Sequence, residues 1–258
     1  MSLDSMKCAH TSHPRKIDYS INSDRNRKSV YKDVCNKREG GSESDYQIYK
    51  FLLVGDASVG KSSFLNQYIE GKAPSTFIPT IGIDFRNKKL SYKYSYSNAQ
   101  GSVAVAYHKV CVQLWDTAGM ERFHSLTTSY FRDAKGFFLM IDLTNENTFV
   151  NAFAWLQKME EYGPRSGYDV IIVGNKIDLV DRRKISAETL HKFAENHRLP
   201  YVETSAKTGI NIEESIDMML HLAIFRHRLS FQKKLIHEEA VPAKLSHSTT
   251  RRIKCSCI

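Results

Sequence analysis

A glycine-rich octapeptide, GDASVGKS, occupies residues 55–62. Its glycines permit close backbone approach, so main-chain N–H groups and a helix N-terminus can surround phosphates. Lys61 can neutralise two phosphate groups, and the hydroxyl of Ser62 can bind Mg²⁺. The alternative is a chance glycine-rich turn, but an apolar run at 49–54 precedes the motif and a helical pattern follows it. We therefore expect a P-loop that binds a nucleoside triphosphate. The residues expected to contact this ligand are Asp56, Ala57, Ser58, Val59, Gly60, Lys61, Ser62 and Ser63.

A second polar loop, GNKID at residues 174–178, directly follows the apolar run DVIIV at 169–173. This loop should lie at the carboxyl end of a strand, where ligands of open α/β sheets collect. The carboxylate of Asp178 can accept both N1–H and the exocyclic amine of guanine, whereas adenine offers no such pair of donors. Isolated NKxD strings occur by chance. Its position behind a P-loop and a DTAG segment predicts guanine as the base.

Between these loops, residues 115–123 read WDTAGMERF. Asp116 ends an apolar strand pattern, so its carboxylate can reach Mg²⁺ through a water. Gly119 offers a backbone N–H that can closely approach the terminal phosphate. The thioether of Met120 is a weak acceptor and cannot donate a hydrogen bond. The segment therefore predicts a loop beside the metal and the terminal phosphate, in which the Met120 side chain offers no hydrogen-bond donor.

Alternating strands and helices must position these loops. Apolar runs at 136–142 and 169–173 suit buried strands, and residues 201–202 indicate a weaker one. Helical spacing begins near Lys61 and should end at Gly71. Two later helical patterns are marked by Phe149, Phe153 and Leu156, and by Ile212, Ile216, Met219, Leu220 and Ala223. The order predicts an α/β fold with a mostly parallel sheet covered by helices on both faces.

A hairpin is expected before the DTAG segment. Residues 84–94 and 107–115 could pair across the polar loop SYSNAQGS, although this loop is long for a hairpin. Tyrosines 92, 94 and 96 recur with a period of two. This spacing indicates one face of a strand rather than a stack of ligand-binding rings.

Composition divides the 258 residues into three parts. Residues 1–46 are polar with scattered single hydrophobes, which cannot offset the entropy of ordering, so we expect a disordered extension. Residues 47–228 should form one folded domain. Residues 229–258 are polar and basic, and we expect a flexible tail.

The net charge of +9 would suit an acidic partner. No recognised nucleic-acid motif accompanies this charge, so we expect an anionic membrane surface and no nucleic acid. No apolar run approaches the roughly 18 residues that span a bilayer, and the polar start lacks a secretory signal core. The five cysteines show no zinc-site spacing, and cytosolic disulfides are rare. We therefore expect a protein of the cytosolic compartment.

Residues 47–228 resemble the Rab family of small GTPases. Besides the P-loop, the resemblance rests on IGIDF, WDTAGMERF, YFRDA, GNKID and ETSAK, which follow one another in that order. It implies a Ras-like small GTPase domain with a six-stranded, mostly parallel sheet. It also implies an enzyme that binds GTP or GDP with Mg²⁺ and hydrolyses GTP.

The resemblance assigns roles to individual residues. Thr80 is implied as the switch threonine that adds a second hydroxyl to Mg²⁺, although an ordinary loop threonine is the alternative. Asn175 would tether its loop to the P-loop, and the stem of Lys176 would cover the base. In ETSAK, the N–H of Ala206 would bond guanine O6. Ser205 and Lys207 lie beside it in the implied nucleotide set. The implied metal-binding residues are Ser62, Thr80 and Asp116.

At the position of Met120, Rab proteins have a glutamine that orients the attacking water. Positioning is most of phosphoryl-transfer catalysis, so slow intrinsic hydrolysis is expected. Met120 could instead be harmless, with the water held by backbone groups of Thr80 and Gly119. Two other readings are a GTP-bound adaptor that scarcely cycles and an ATP-dependent P-loop enzyme. The implied catalytic set is Lys61, Thr80, Gly119 and Met120.

The segments FRDAKGFF and DLTNENTF are most similar to the secretory-granule branch, the Rab twenty-seven subfamily. The branch implies regulated exocytosis at the cytoplasmic face of vesicle or granule membranes, with a cytosolic pool. Implied partners are helical effectors, an exchange factor, an activating protein and escort or dissociation-inhibitor chaperones. The P-loop departs from the family at Ala57 and Ser58, where a small residue followed by glycine is usual.

The chain ends with Cys255, Ser256, Cys257 and Ile258. This ending can be a prenylation box on Cys255 or a Rab-type pair in which Cys257 is also modified. Basic residues just upstream would supply the second signal that stable membrane attachment requires. Two unmodified cysteines in a flexible tail are the alternative.

Overall fold

The computed structural model describes residues 46–73, 80, 82–97, 103–117 and 129–239. Within these ranges, six strands form one sheet: β1 (Gln47–Val54), β2 (Ile83–Ser97), β3 (Val103–Thr117), β4 (Gly136–Asp142), β5 (Asp169–Asn175) and β6 (Tyr201–Thr204). Their order across the sheet is β2-β3-β1-β4-β5-β6. Only β2 and β3 pair antiparallel among these neighbours, so the expected mostly parallel sheet is confirmed.

Helices cover both faces of this sheet. They are α1 (Lys61–Glu70), α2 (Glu146–Val150), α3 (Ala152–Tyr162), α4 (Ala187–His197) and α5 (Ile212–Glu239), with a short 3₁₀ helix at Val180–Arg182. Helices α1 and α5 pack on one face of β1, where Phe51 and Leu53 are buried. Helices α3 and α4 pack on the other face, against Leu52 and Val54. Successive residues of β1 therefore serve two cores, as expected for a parallel strand covered on both sides.

The first helix begins and ends at glycines, as the sequence predicts. Gly60 precedes α1 with φ +103°, and Gly71 follows it with φ +69°. The N–H of Gly71 donates to the carbonyl of Gln67, which satisfies one of the last carbonyls of the helix. Both positions lie in the left-handed region that glycine tolerates best. Gly60 therefore sets where the P-loop meets the helix, and Gly71 sets where the helix ends.

Two helical segments differ from the sequence expectation. The pattern around Phe149 and Leu156 forms two helices, α2 and α3, which are separated at Asn151. Helix α4 lies between the predicted strands and was not identified as a separate element. The side chain of Ser186 caps α4 by accepting from the N–H of Thr189. This N-terminal cap is the local signal that could have revealed the helix.

The predicted hairpin is confirmed, and its strands are longer than expected. The register runs from Ile83 opposite Thr117 to Ser97 opposite Val103. Strand β1 begins at Gln47, which pairs with Val110, so the hairpin extends past the end of β1. Tyr92 is buried in the core. Its burial agrees with the interpretation of the tyrosine repeat as a strand face.

The described structure ends with a long helix. Helix α5 continues to Glu239, so regular backbone structure extends past residue 228, where we placed the start of the flexible tail. The N-terminal extension to residue 45 and the chain after 239 lie outside the described residues. Within the described ranges, no helix is both long enough and apolar enough to cross a bilayer.

Candidate functional site

The P-loop follows β1 and has an unusual backbone. Gly55, Ser58 and Gly60 all have positive φ angles, of +138°, +64° and +103°. A Cβ on Gly55 would lie 2.4 Å from the carbonyl oxygen of Met140, and one on Gly60 would lie 2.3 Å from Nδ2 of Asn175. Both glycines are therefore required by close approach as well as by conformation. The loop can fold tightly only against β4 and the end of β5.

Lys61 is buried beneath the P-loop. Its Nζ donates to the carbonyls of Gly55 at 2.9 Å and Asp56 at 2.6 Å. Burial lowers the pKa of Lys61 to about 8, and the negative charges of Asp116 and Asp56 partly oppose this shift. The loop thus wraps around a single ammonium group, which is the group expected to face phosphate oxygens.

Three oxygen-bearing side chains meet beside Lys61. Ser62 Oγ lies 2.7 Å from Thr80 Oγ1, and it donates to Asp116 Oδ2 at 2.6 Å. Thr80 Oγ1 also donates to Asp116 Oδ2, at 3.1 Å. Asp116 is buried, which raises its carboxyl pKa, while hydrogen bonds from Ser62 and Thr80 and the charge of Lys61 act in the opposite direction. The three residues predicted as metal ligands therefore form one cluster.

This cluster has the chemistry of a hard-cation site. The second carboxylate oxygen of Asp116, Oδ1, is buried and has no hydrogen-bond partner among the described residues. A buried carboxylate oxygen without a donor is costly unless a cation or water compensates for it. Hydroxyl and carboxylate oxygens are the ligands that Mg²⁺ prefers. Ser62, Thr80 and Asp116 therefore fit Mg²⁺, which would neutralise phosphate charge when bound.

Asn175 connects this phosphate end to the predicted base end. Its Nδ2 donates to the P-loop carbonyl of Val59 at 2.8 Å. Its Oδ1 accepts from Thr204 Oγ1 at 3.2 Å and from the N–H of Ala206 at 3.0 Å. Asn175 is fully buried, so these hydrogen bonds replace those it would make with water. One side chain joins three loops at the carboxyl edge of the sheet.

The N–H of Ala206 differs from the sequence expectation. The resemblance assigns this group to guanine O6, but here it donates to Asn175 Oδ1. An N–H has a single proton. To bond a base oxygen, the Ala206 N–H would have to share this proton between the base and Asn175 Oδ1, or give up its bond to Asn175. Ser205 and Ala206 are buried, whereas Lys207 is exposed on the same loop. The loop itself lies where the sequence predicts.

Asp178 is oriented by the same loop. Its Oδ1 accepts from Ser205 Oγ at 2.6 Å, and Ser205 Oγ in turn accepts from the N–H of Thr208 at 3.1 Å. Only one carboxylate oxygen of Asp178 takes part in this contact. Asp178 is partly exposed.

Lys176 is held by a carboxylate that the sequence analysis did not single out. Its Nζ lies 2.6 Å from Asp142 Oδ2, at the end of β4. The other oxygen of Asp142 accepts from the N–H and Oγ1 of Thr144. Lys176 has φ +73°, an uncommon conformation for a lysine. Asp142 follows an apolar run in the sequence, the same signal that identified Asp116.

An ion pair supports the start of the ETSAK segment. Arg183 donates to both carboxylate oxygens of Glu203, and its Nε donates to the carbonyl of Ile185 at 2.7 Å. Asn211 Nδ2 donates to the carbonyl of Glu203 at 2.7 Å. The paired carboxylate raises the pKa of Arg183, so this guanidinium stays charged. Glu203 thus stabilises the loop rather than facing a ligand.

The remaining predicted residues have different positions. Ala57 and Ser58 are exposed at the tip of the P-loop, Val59 is buried in the core, and Ser63 is half-buried in the first turn of α1. Gly119, Met120, Cys255 and Cys257 lie outside the described residues. The structure therefore brings the phosphate, metal and base residues together at one edge, and the roles of Gly119, Met120 and the two cysteines stay predictions.

Comparison with known proteins agrees with this arrangement. The Ras family model matches residues 50–224. Ras-related protein Rab-27A of Rattus norvegicus is 42% identical over 213 residues, which cover 82% of this chain and 95% of the relative. Ras-related protein Rab-27B of Rattus norvegicus is 39% identical over 225 residues, which cover 84% and 100%. Rab-27A of Homo sapiens is 42% identical over 213 residues, with 82% and 95% covered. This chain therefore belongs to the Ras family, as a Rab GTPase similar to Rab-27A and Rab-27B.

Proposed function

We propose that this protein is a Mg²⁺-dependent GTP/GDP switch that acts in regulated vesicle trafficking. The proposal is carried by the cluster of Ser62, Thr80 and Asp116 oxygens, which lies beside the buried ammonium of Lys61. A buried ammonium group beside oxygen ligands that can hold a divalent cation would supply the positive charge that a polyphosphate requires. Lys61 would bind the β- and γ-phosphates, and the P-loop N–H groups would surround them.

Guanine selection is assigned to Asp178. Its carboxylate is oriented by Ser205 and can accept both N1–H and the exocyclic amine of guanine. We expect Asp178→Asn to weaken GTP binding by at least about a hundredfold, because the amide places a donor against a guanine donor. Ser205→Ala, which keeps the carboxylate, is the milder comparison. Equal affinity of the wild-type protein for ATP and GTP would overturn the guanine assignment in favour of an ATP-dependent enzyme.

Hydrolysis is proposed to be slow because Met120 occupies the position of a water-orienting glutamine. A thioether leaves the attacking water to be held by backbone groups near Thr80 and Gly119. Lys61 and a bound Mg²⁺ ion would still stabilise the charge of the transferring phosphoryl group. Intrinsic hydrolysis should thus retain electrostatic stabilisation of the transition state but lose the positioning of the attacking water. An activating protein that supplies an arginine and a glutamine could restore the rate.

Single-turnover hydrolysis of bound GTP tests this assignment. We expect Met120→Gln to raise the rate by on the order of tenfold to a hundredfold, because a positioned amide restores the water contact. Met120→Leu, which is apolar and of similar size, is the matched control and should hydrolyse GTP like the wild type. Equal rates for wild type and Met120→Gln would show that Met120 does not limit the reaction.

A GTP-bound adaptor that scarcely cycles is the second candidate, and the Met120 substitution is the observation that favours it. Both candidates use the same binding residues, so they differ only in which nucleotide accumulates. The nucleotide extracted from protein purified from its native host distinguishes them. Mostly GDP supports the cycling switch, and mostly GTP supports the adaptor.

Effector binding is assigned to the face around the start of β2 and the end of β3, with Tyr130 beside them. Phe85 stacks on Trp115 with ring centroids 4.6 Å apart, and Trp115 contacts Tyr130 at 5.7 Å. Phe85 is 47% exposed although it is apolar. Exposed aromatic groups of this kind are typical of protein-binding surfaces. We propose that helical effectors bind here in the GTP state, and that prenylated Cys255 and Cys257 hold the complex at vesicle membranes.

A further inference from the structure

The carboxylate of Asp56, in the P-loop, is hydrogen-bonded to helix α3. Its Oδ1 accepts from the indole Nε1 of Trp155 at 2.8 Å, and its Oδ2 accepts from Nδ2 of Asn151 at 2.8 Å. The two donors stand at the start of α3, more than ninety residues further along the chain. Both carboxylate oxygens of a P-loop residue are thus engaged by an element outside the loop.

The main chain of the same residue contacts Lys61. The carbonyl of Asp56 accepts from Lys61 Nζ at 2.6 Å. A movement of Asp56 would therefore displace an acceptor of the buried ammonium that faces the phosphates. The contacts form one continuous path from Trp155 and Asn151, through Asp56, to Lys61.

Charge gives this contact a second effect. A carboxylate in a phosphate-binding loop repels a polyphosphate unless it is held away from the ligand and its charge is stabilised. The N–H donors of Trp155 and Asn151 supply such stabilisation through charge-assisted hydrogen bonds. Removing a donor would free the Asp56 carboxylate to turn toward the bound phosphates.

Trp155 is a rigid donor. It is 4% exposed and belongs to the core between α3 and the sheet. The ammonium of Lys158 lies over its ring, 4.6 Å from the centroid. Packing on both sides fixes the direction of the indole N–H. Asn151 is exposed, so its contact with Asp56 can be changed without disturbing the core.

We propose that Trp155 and Asn151 are positioning residues of the P-loop, which slow the release of bound nucleotide by holding Asp56. This inference rests on the proposed nucleotide-binding function and extends it to residues outside the site. Neither residue needs to contact the nucleotide. Their effect passes through the Asp56 carboxylate and the loop backbone.

The test is the release rate of a fluorescent GDP analogue from the full-length protein after addition of excess GDP. We expect release on the order of tenfold faster from Trp155→Phe, because one charge-assisted hydrogen bond is lost while ring packing is kept. Asn151→Ser shortens the second donor and should also accelerate release. Met159→Leu, a conservative change at another buried α3 residue, is the control and should release nucleotide at the wild-type rate.

A double-mutant cycle separates positioning from a general loss of packing. Asp56→Ala should accelerate release, because the loss of both hydrogen bonds to α3 outweighs the removal of one negative charge. Adding Trp155→Phe to it should cause no further change, because the indole then has no carboxylate to hold. Independent, multiplicative effects would overturn the inference. Unchanged release from Asn151→Ser and Trp155→Phe would overturn it as well, and if Trp155→Phe fails to fold, Asn151→Ser decides alone. Failure of the wild-type protein to hold any GDP would instead overturn the proposed function, on which this inference rests.

Discussion

The side-chain amide of Asn175 lies 2.8 Å from the main-chain carbonyl of Val59, and it joins two loops that are 116 positions apart in the sequence. The same side chain accepts from Thr204, at the end of β6, and from Ala206 in the loop after it. The phosphate and base ends of the site are therefore coupled by a single buried amide. A change at either end can be transmitted to the other through this residue.

Asn175→Ala should destabilise the protein and release nucleotide faster. The substitution leaves the Val59 carbonyl and the Ala206 N–H without their partners, and such a loss costs about 2–4 kcal/mol in unfolding free energy. Chemical denaturation of the GDP-bound and nucleotide-free forms measures it. The control is Asn145→Ala, which removes an exposed helix cap and should cost about 1 kcal/mol without changing release. Similar effects of the two variants on release would contradict the coupling.

Gly60→Ala should abolish nucleotide binding. Its Cβ would lie 2.3 Å from Asn175 Nδ2, at a φ of +103°, so the Asn175–Val59 contact could not form. Gly71→Ala is a matched control, because Gly71 also has positive φ but a Cβ there meets nothing within 4 Å. It should cost only about 1 kcal/mol, from backbone strain. Isothermal titration with GDP would count against this account if Gly60→Ala bound as tightly as Gly71→Ala.

The stability of the nucleotide-free protein should rise with pH above about 8 because of Lys61. Burial lowers its pKa from 10.5 to about 8, so between these values the unfolded chain holds more protons than the folded protein. The unfolding free energy therefore increases with pH across this window, by roughly 3 kcal/mol at about 1.4 kcal/mol per pH unit. Below pH 8 the buried charge costs the folded state this amount.

The measurement is the difference in unfolding free energy between wild type and Lys61→Met, taken from pH 8 to pH 10.5. Methionine has a similar shape and no proton to lose, so it removes this one contribution. The difference should grow in favour of the wild type as pH rises. Parallel pH profiles of the two proteins would show that Lys61 keeps its ordinary pKa in the folded state.

Removing both terminal cysteines should release the protein from membranes. Cys255→Ser combined with Cys257→Ser eliminates every prenylation position of the proposed anchor, and a basic patch alone binds membranes weakly and reversibly. Fractionation of cells that express the full chain measures the shift from pellet to supernatant. Cys111→Ser, a change at a buried β3 position, is the control for the loss of a cysteine as such. Continued pelleting of the double variant would refute the lipid anchor.

The sequence predicted those parts of the fold that local signals control. Strand β4 matches its apolar run at both ends, because every residue of it is buried. Helix α1 ends where Gly71 permits a left-handed turn. Helix α4 was missed, because its apolar residues are few and its cap at Ser186 is a weak signal. The break between α2 and α3 at Asn151 was also missed, because the spacing of apolar residues indicates the buried face of a helix and not a local interruption of it.

The site was predicted where a residue carries its own chemistry, and missed where a role depends on tertiary contact. Lys61, Ser62 and Asp116 could be assigned from motif and strand context. Trp155 could not, because its partner Asp56 is distant in sequence. Asp142 carries the same strand-end signal as Asp116, but that signal does not specify Lys176 as its partner. Nothing in a linear pattern specifies which donor reaches which acceptor after folding.

The position of the Asn175 donors in the sequence also determines when the nucleotide site can form during translation. Thr204 and Ala206 belong to β6 and the loop after it, the last sheet strand to be synthesised. A ribosome-bound chain that ends within α4 contains the whole P-loop, but its Asn175 lacks both donors. Because a domain generally folds as a unit, the nascent chain should capture guanine nucleotide only after residue 206 has left the exit tunnel. Nucleotide binding would then stabilise a domain whose sheet strands have all been synthesised, and it would not initiate folding.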